Sequence, residues 1–325
     1  MRLYWAPLCI LVACGQADDV PGQAESAETD VEIPTDDDTS DPETPPTAFD
    51  CSVPARDPTF VRTHDYVEPS EDFGFDADGF VWGMSIATDG LVRVALDGTT
   101  EMFVPNISDV GRGTRILPDG DIVVAIPEEG AIYRVDRSSG ALSLLLANLS
   151  EPNGIAVGAD GFIYATSLDG KITRIDPDNG GGLTLFESER SADGITFGPD
   201  FERLYWNSET GEVYTAVVRD GLVVEALSLL ATAEIRTGLM DGMTADICGN
   251  LYMIESHGTI YKIAEDGTVS VFMEMPSSVY PALNFGSGVG GFPSDHLYVM
   301  DLGEGLQEID VGIPGRTGAY LGARR

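Results

Sequence analysis

Histidine is scarce in this 325-residue chain, which carries only His64, His257 and His296. That scarcity argues against a multi-histidine zinc centre. Positive charge is also scarce. Lys and Arg total 18 against 54 Asp and Glu, a formal net charge of -36. Phosphate is repelled by such a surface, so the composition speaks against nucleic acid as a partner. It suits a cation, a basic partner or solubility alone. No stretch shows sustained helical periodicity. The apolar run APLCILVA at 6–13 is too short to cross a bilayer. Cysteine is limited to four positions. What is plentiful is apolar residue, at 43%, enough for a sizeable core.

The first residues read as an export signal. Arg2 supplies the positive start and the short apolar run follows. The run ends in Leu11-Val12-Ala13-Cys14. This resembles the bacterial lipobox, in which the cysteine receives lipid after cleavage. The resemblance implies a signal peptide over 1–13 and a lipidated Cys14. A lipid would hold the protein on a membrane without a spanning helix. Residues 15–50 are rich in Asp, Glu, Pro, Ser and Thr and contain no Lys or Arg. They cannot bury enough surface to offset ordering entropy. The expectation for 14–50 is therefore an acidic tether, with a calcium-binding tail as the alternative. The protein is expected to be an exported lipoprotein, periplasmic or at the cell surface. Cys9 leaves with the signal and Cys14 takes lipid. Cys51 and Cys248 remain, and an oxidising compartment favours a disulfide between them.

Residues 51–325 are self-similar with a period of about 40 residues. Compare SEDFGFDADGFVWGMS (70–85), GRGTRILPDGDIVVAI (111–126) and EPNGIAVGADGFIYAT (151–166). Compare also SADGITFGPDFERLYWNS (191–208) and LMDGMTADICGNLYMIES (239–256). Each unit has a short apolar strand, a turn rich in Asp and Gly, and a second strand. A third strand follows each, such as AIYRVD or TIYKIA, and a fourth follows most. A divergent sixth copy begins at Tyr280. Four short strands per unit describe a propeller blade. The predicted fold is all-β, a six-bladed β-propeller of four-stranded antiparallel blades. PTFVRTHDYVE (58–68) has no blade of its own. It is predicted to close the ring as the outer strand of the last blade, removing the open edge. A β-solenoid would need shorter repeats.

One position recurs. Seven residues before the inner hairpin turn stand Glu71, Arg112, Asn153, Asp193 and Asp241 in successive units. In the sixth, matching Phe285 to Phe197 gives Pro281. Each opens the innermost strand of its blade, so all six ring one end of the central channel. Asn153-Gly154 therefore precedes a strand rather than making a hairpin turn. Three carboxylates and an amide oxygen converge there. Left alone, the carboxylates raise each other's pKa. A hard divalent cation resolves the conflict, and oxygen-only ligands favour calcium. Met240, Met243, Tyr205 and Trp206 read as packing residues. His257, in the loop after the fifth unit's second strand, shares the ring face. It fits a solvated loop residue or a proton shuttle.

The motifs EDFGFDADG, PNGIAVGADG, ADGITFGPDFERLYW, DGMTADICGNLYM and NFGSGVGG resemble those of the SMP-30/gluconolactonase/LRE-like family. The resemblance spans roughly residues 65 to 315. It implies a six-bladed propeller with one divalent metal held by a Glu, two Asn and an Asp. Glu71, Asn153 and Asp241 match in type, and Asp193 stands where the family usually has its second Asn. It further implies hydrolysis of a lactone, with Asp241 as both ligand and proposed base. Two departures put sugar lactones in doubt: Glu151 stands where an Arg often holds substrate, and the first blade reads Glu-Asp-Phe rather than Glu-Gly-Pro. Two roles fit Arg112: contact with the substrate oxyanion, or neutralisation of the ring. The leading reading is a calcium-dependent hydrolase of a small lactone or related ester. The alternatives are a binding module with a structural calcium ion, and an envelope scaffold without ligand. Topology adds one expectation. The inner hairpin turns and the start of the closing strand share the face opposite the ring, which brings Cys51 to Cys248.

Overall fold

A computed structural model describes residues 49–52, 56–107 and 111–316. The chain divides into two units, 1–47 and 48–325. The signal peptide, Cys14 and nearly all of the acidic tether lie outside the described residues.

The described residues form six four-stranded antiparallel sheets. The chain opens with β1 (Thr59–His64). Blade 1 is β2 (Phe73–Phe75), β3 (Phe80–Ser85), β4 (Gly90–Ala95) and β5 (Thr100–Pro105). Blade 2 is β6 (Thr114–Ile116), β7 (Ile122–Ile126), β8 (Ala131–Val135) and β9 (Leu142–Leu146). Blade 3 is β10 (Pro152–Val157), β11 (Ile163–Ser167), β12 (Lys171–Ile175) and β13 (Gly182–Glu187). Blade 4 is β14 (Ile195–Phe197), β15 (Arg203–Asn207), β16 (Glu212–Arg219) and β17 (Leu222–Thr232). Blade 5 is β18 (Met240–Ala245), β19 (Leu251–Glu255), β20 (Thr259–Ile263) and β21 (Val269–Glu274). Blade 6 is β22 (Leu283–Phe285), β23 (His296–Asp301) and β24 (Gly305–Asp310), completed by β1. One 3-10 turn, Pro127–Glu129, interrupts the strands.

The repeat therefore is a six-bladed β-propeller, and its first strand closes the ring. β1 pairs antiparallel with β24, from Thr59 opposite Asp310 to His64 opposite Leu306. The closure is fixed by a buried carboxylate. Glu308 accepts from Arg62 Nε at 2.6 Å, His64 Nε2 at 2.8 Å, His296 Nδ1 at 2.6 Å and Tyr298 OH at 3.1 Å. Arg62 and His64 come from the closing strand. Cys51 and Cys248 are disulfide-bonded, with Cα atoms 5.5 Å apart. This ties the approach to β1 onto the inner hairpin turn of blade 5.

The core lies between blades. Trp206 is buried and stacks on Phe186 of blade 3 and Tyr214 of its own blade. Tyr205, Met240 and Met243 pack together between blades 4 and 5. These four are packing residues, as the sequence implies. Apolar surface removed from water in this way stabilises the fold by about 25 cal/mol per Å².

Candidate functional site

The six innermost strands surround the channel, each in contact with the next: β2 with β6, β6 with β10, β10 with β14, β14 with β18, β18 with β22, and β22 with β2. At one end lies a recess lined by Glu71, Asn153, Asp193, Asp241 and Pro281. Asp72, Arg115 and Met243 also line it. Four oxygen-bearing ring positions named from sequence spacing, together with Pro281, thus meet in one place. Arg112 is close enough to act electrostatically on Glu71, Asp193 and Asp241, though it does not line the recess. His257 does not line it either. That residue is exposed in the β19–β20 turn, with Nδ1 3.3 Å from Ser256 Oγ.

A local device places four of the six ring residues. In β10, Pro152 pairs with Ser167 and Ile155 with Ala165, so Asn153 and Gly154 together oppose Thr166 alone. In β18, Met240 pairs with Glu255 and Met243 with Met253, so Asp241 and Gly242 oppose Ile254. Each is a β-bulge, which re-aims a side chain that a regular strand would turn away. The same two-against-one pattern recurs in blades 2 and 4. Arg112 N donates to Ala125 O while Ala125 N donates to Gly113 O. Asp193 N donates to Asn207 O while Asn207 N donates to Gly194 O.

The glycine of the bulge serves close packing. A Cβ at Gly154 would stand 2.5 Å from the Asp193 carbonyl, and one at Gly194 would stand 2.5 Å from that of Asp241. The backbones of Asn153, Asp193, Asp241 and Pro281 therefore rest on the bulge of the blade before. Those carbonyls are also held. Asn153 O accepts from Gly113 N at 2.9 Å, and Pro281 O from Gly242 N at 3.0 Å. Asp193 O accepts from Thr166 Oγ1 at 2.6 Å, and Asp241 O from Asn207 Nδ2 at 3.0 Å. With their carbonyls fixed, the ring residues have their side chains left for the recess.

Those side chains find no protein partner. Among the described residues the side-chain oxygens of Glu71, Asn153, Asp193 and Asp241 make no hydrogen bond or ion pair to protein, though Asp193 is only 6% exposed. Burial pushes the Asp193 carboxyl up to about 7, with Glu209, Glu71 and Asp72 adding to the rise against Arg112. Burial raises Asp241 well above the usual carboxylate range, and Asp193 and Glu71 push it further while Arg112 opposes. Burial likewise raises Glu71, with Arg112 pulling it down. Arg112 itself keeps a buried Nε–H without an acceptor.

Buried carboxylates that raise one another, lack donors and sit beside an amide oxygen fit a hard dication in donor type. Among the described residues, no group of three or more His, Cys, Asp or Glu side chains forms a metal cage by itself. The fit is therefore one of donor type and not of a closed cage.

Sequence spacing alone missed several residues. Asp72 stands where blades 2 to 5 carry the bulge glycine. Its carboxylate accepts from Thr114 N and Arg115 Nη1. Glu209, on the loop after β15, receives Met240 N on its carbonyl and donates its own N–H to Ser191 Oγ. Thr166 and Asn207 occupy equivalent places in consecutive blades, a signal that the repeat alignment contained.

Known proteins bear on the architecture. A model of the strictosidine synthase-like N-terminal family matches residues 140–175. No curated protein matches the sequence. A gluconolactonase from Xanthomonas campestris superposes with TM-score 0.65 at 19% identity, over 81% of this chain and 98% of that one. A calcium-binding regucalcin from Agrobacterium tumefaciens gives 0.64 at 18% identity, over 79% and 95%. Virginiamycin B lyase from Staphylococcus aureus gives 0.59 at 16%, over 73% and 79%. The fold is the propeller fold of these structures. Its strand order and closure match what the repeat pattern predicts, and identities this low speak to fold alone.

Proposed function

We propose that the protein is a calcium-dependent hydrolase of a small lactone or related ester. The observation that carries this reading is the set of partnerless oxygens of Glu71, Asn153, Asp193 and Asp241 around one recess. These four residues would hold the ion. When bound, a divalent cation supplies positive charge that polarises an ester carbonyl and acidifies water. Asp241 takes a proton from the water that attacks the carbonyl carbon. Arg112, whose positive charge already acts on Glu71, Asp193 and Asp241, favours the negative charge that develops on the carbonyl oxygen. The ring C–O bond then breaks, and the leaving oxygen takes the proton back from Asp241. His257, exposed and outside the recess, has at most a part in passing protons to solvent.

The likeness to a gluconolactonase supports the reaction class and that to a calcium-binding regucalcin supports the cation, though both leave the substrate open. We also propose that the protein is exported and lipidated on Cys14, which Cys14→Ala would test by loss of acyl labelling. A second reading, a binding module with a structural cation, has the exposed Glu151 beside the ring in its favour. A panel of lactones and aryl esters separates the two. Metal-dependent turnover, lowered about 10²–10⁴-fold by Asp241→Asn, is expected of the hydrolase. No turnover on any member would leave the binding module.

A further inference from the structure

Three residues beyond the ring, each inner strand places one more residue toward the channel: Gly74, Arg115, Ala156, Thr196, Thr244 and Asn284. All but Thr244 line a second cavity, and Arg115 lines both this cavity and the ring recess. The cavity offers about 60 Å³ to water-sized molecules. Its room comes from the small residues Gly74 and Ala156 in the same layer as Arg115.

Arg115 is the one charge in that layer. Its Nη1 serves the Asp72 carboxylate and the carbonyls of Phe73 and Thr114. Its Nε and Nη2 make no hydrogen bond to protein among the described residues. One edge of the guanidinium is thus anchored and the other has donors to spare. Arg316 also lines the cavity, with its guanidinium 4.7 Å over the Phe201 ring. Two guanidiniums in one cavity run against a chain with 18 basic and 54 acidic residues. Beside the polar Thr196 and Asn284, the wall carries the apolar Phe75, Phe285, Ile116 and Met243.

We propose that this cavity is a carboxylate site that takes a short aliphatic acid, with Arg115 as its anchor. Two adjacent N–H donors on a fixed guanidinium match the two oxygens of a carboxylate. The apolar part of the wall suits an aliphatic tail, which chloride lacks, and disfavours the second charge of phosphate. The site does not depend on the hydrolase reading, although a lactone hydrolase would release a hydroxy acid of matching chemistry.

The test is calorimetric titration of propionate, chloride and phosphate into the intact protein at constant ionic strength. Two variants accompany it. Ala156→Leu fills the cavity and leaves the Arg115–Asp72 pair intact. Arg115→Gln with Asp72→Asn removes both charges together, so neither is left unpaired. One propionate per chain is expected, with chloride and phosphate weaker by about tenfold or more, and a similar loss in each folded variant. The assignment is overturned by no saturable propionate binding in the wild type. Chloride or phosphate binding as tightly, or undiminished binding in a folded variant, would overturn it equally.

Discussion

At the scale of single residues, the ring depends on glycine as much as on its acids. Asn153-Gly154, Asp193-Gly194 and Asp241-Gly242 each put an oxygen into the recess and then give way to the next blade's backbone. A methyl group at Gly194 would meet the Asp241 carbonyl at 2.5 Å and Asn207 Oδ1 at 2.6 Å. Overpacking of this kind costs about 1–3 kcal/mol. Gly194→Ala is therefore expected to lower denaturant stability by about that amount, and to weaken calcium binding about tenfold by displacing Asp241. Equilibrium unfolding and calcium titration of the same preparation check both effects. Unchanged affinity in a destabilised variant would separate packing from the site.

At the scale of elements, the blade repeat and the ring positions were legible because both depend on local spacing. A turn of Asp and Gly seven residues after a polar residue is visible in a single line of sequence. The bulges were not. The oddity of Asn153-Gly154 was plain, but its cause, two residues opposing Thr166, requires knowing the partner strand. Asp72, Arg115 and Glu209 were missed because their roles arise between blades. The closing strand illustrates the same division. Its existence was readable from an apolar segment left without a blade, whereas the Glu308 cluster that fixes it was not. Burial raises the Glu308 carboxyl, yet hydrogen bonds from Arg62, His296 and His64 outweigh that and hold it down to about 2. A carboxyl depressed on folding contributes stability that is present above its unfolded value of 4.5 and lost as pH falls through about 2. Acid unfolding between those limits should therefore be blunted in Glu308→Gln, which should also lose about 3–5 kcal/mol at neutral pH. A pH series of thermal melts reads both. A variant as stable as the parent at neutral pH would show that the cluster does not secure the ring.

At the scale of the whole molecule, closure is doubly secured, by β1 and by the Cys51–Cys248 bridge just before it. The bridge spans 197 residues of sequence. Chain entropy predicts about 5 kcal/mol for a loop of that length, and measured values more often reach about 2–4. Cys51→Ser with Cys248→Ser should lower the melting temperature measurably, while a two-thiol count on the untreated parent would contradict the bridge itself. The net charge of -36 adds a field that gathers cations around the molecule. Whether that field ends in a specific site is the central question. Calorimetric titration of calcium into the metal-stripped protein, beside Asp193→Ala/Asp241→Ala, answers it most directly. The account predicts one saturable site in the parent and its loss in the double variant. No binding by the parent, or equal binding by the variant, would contradict it.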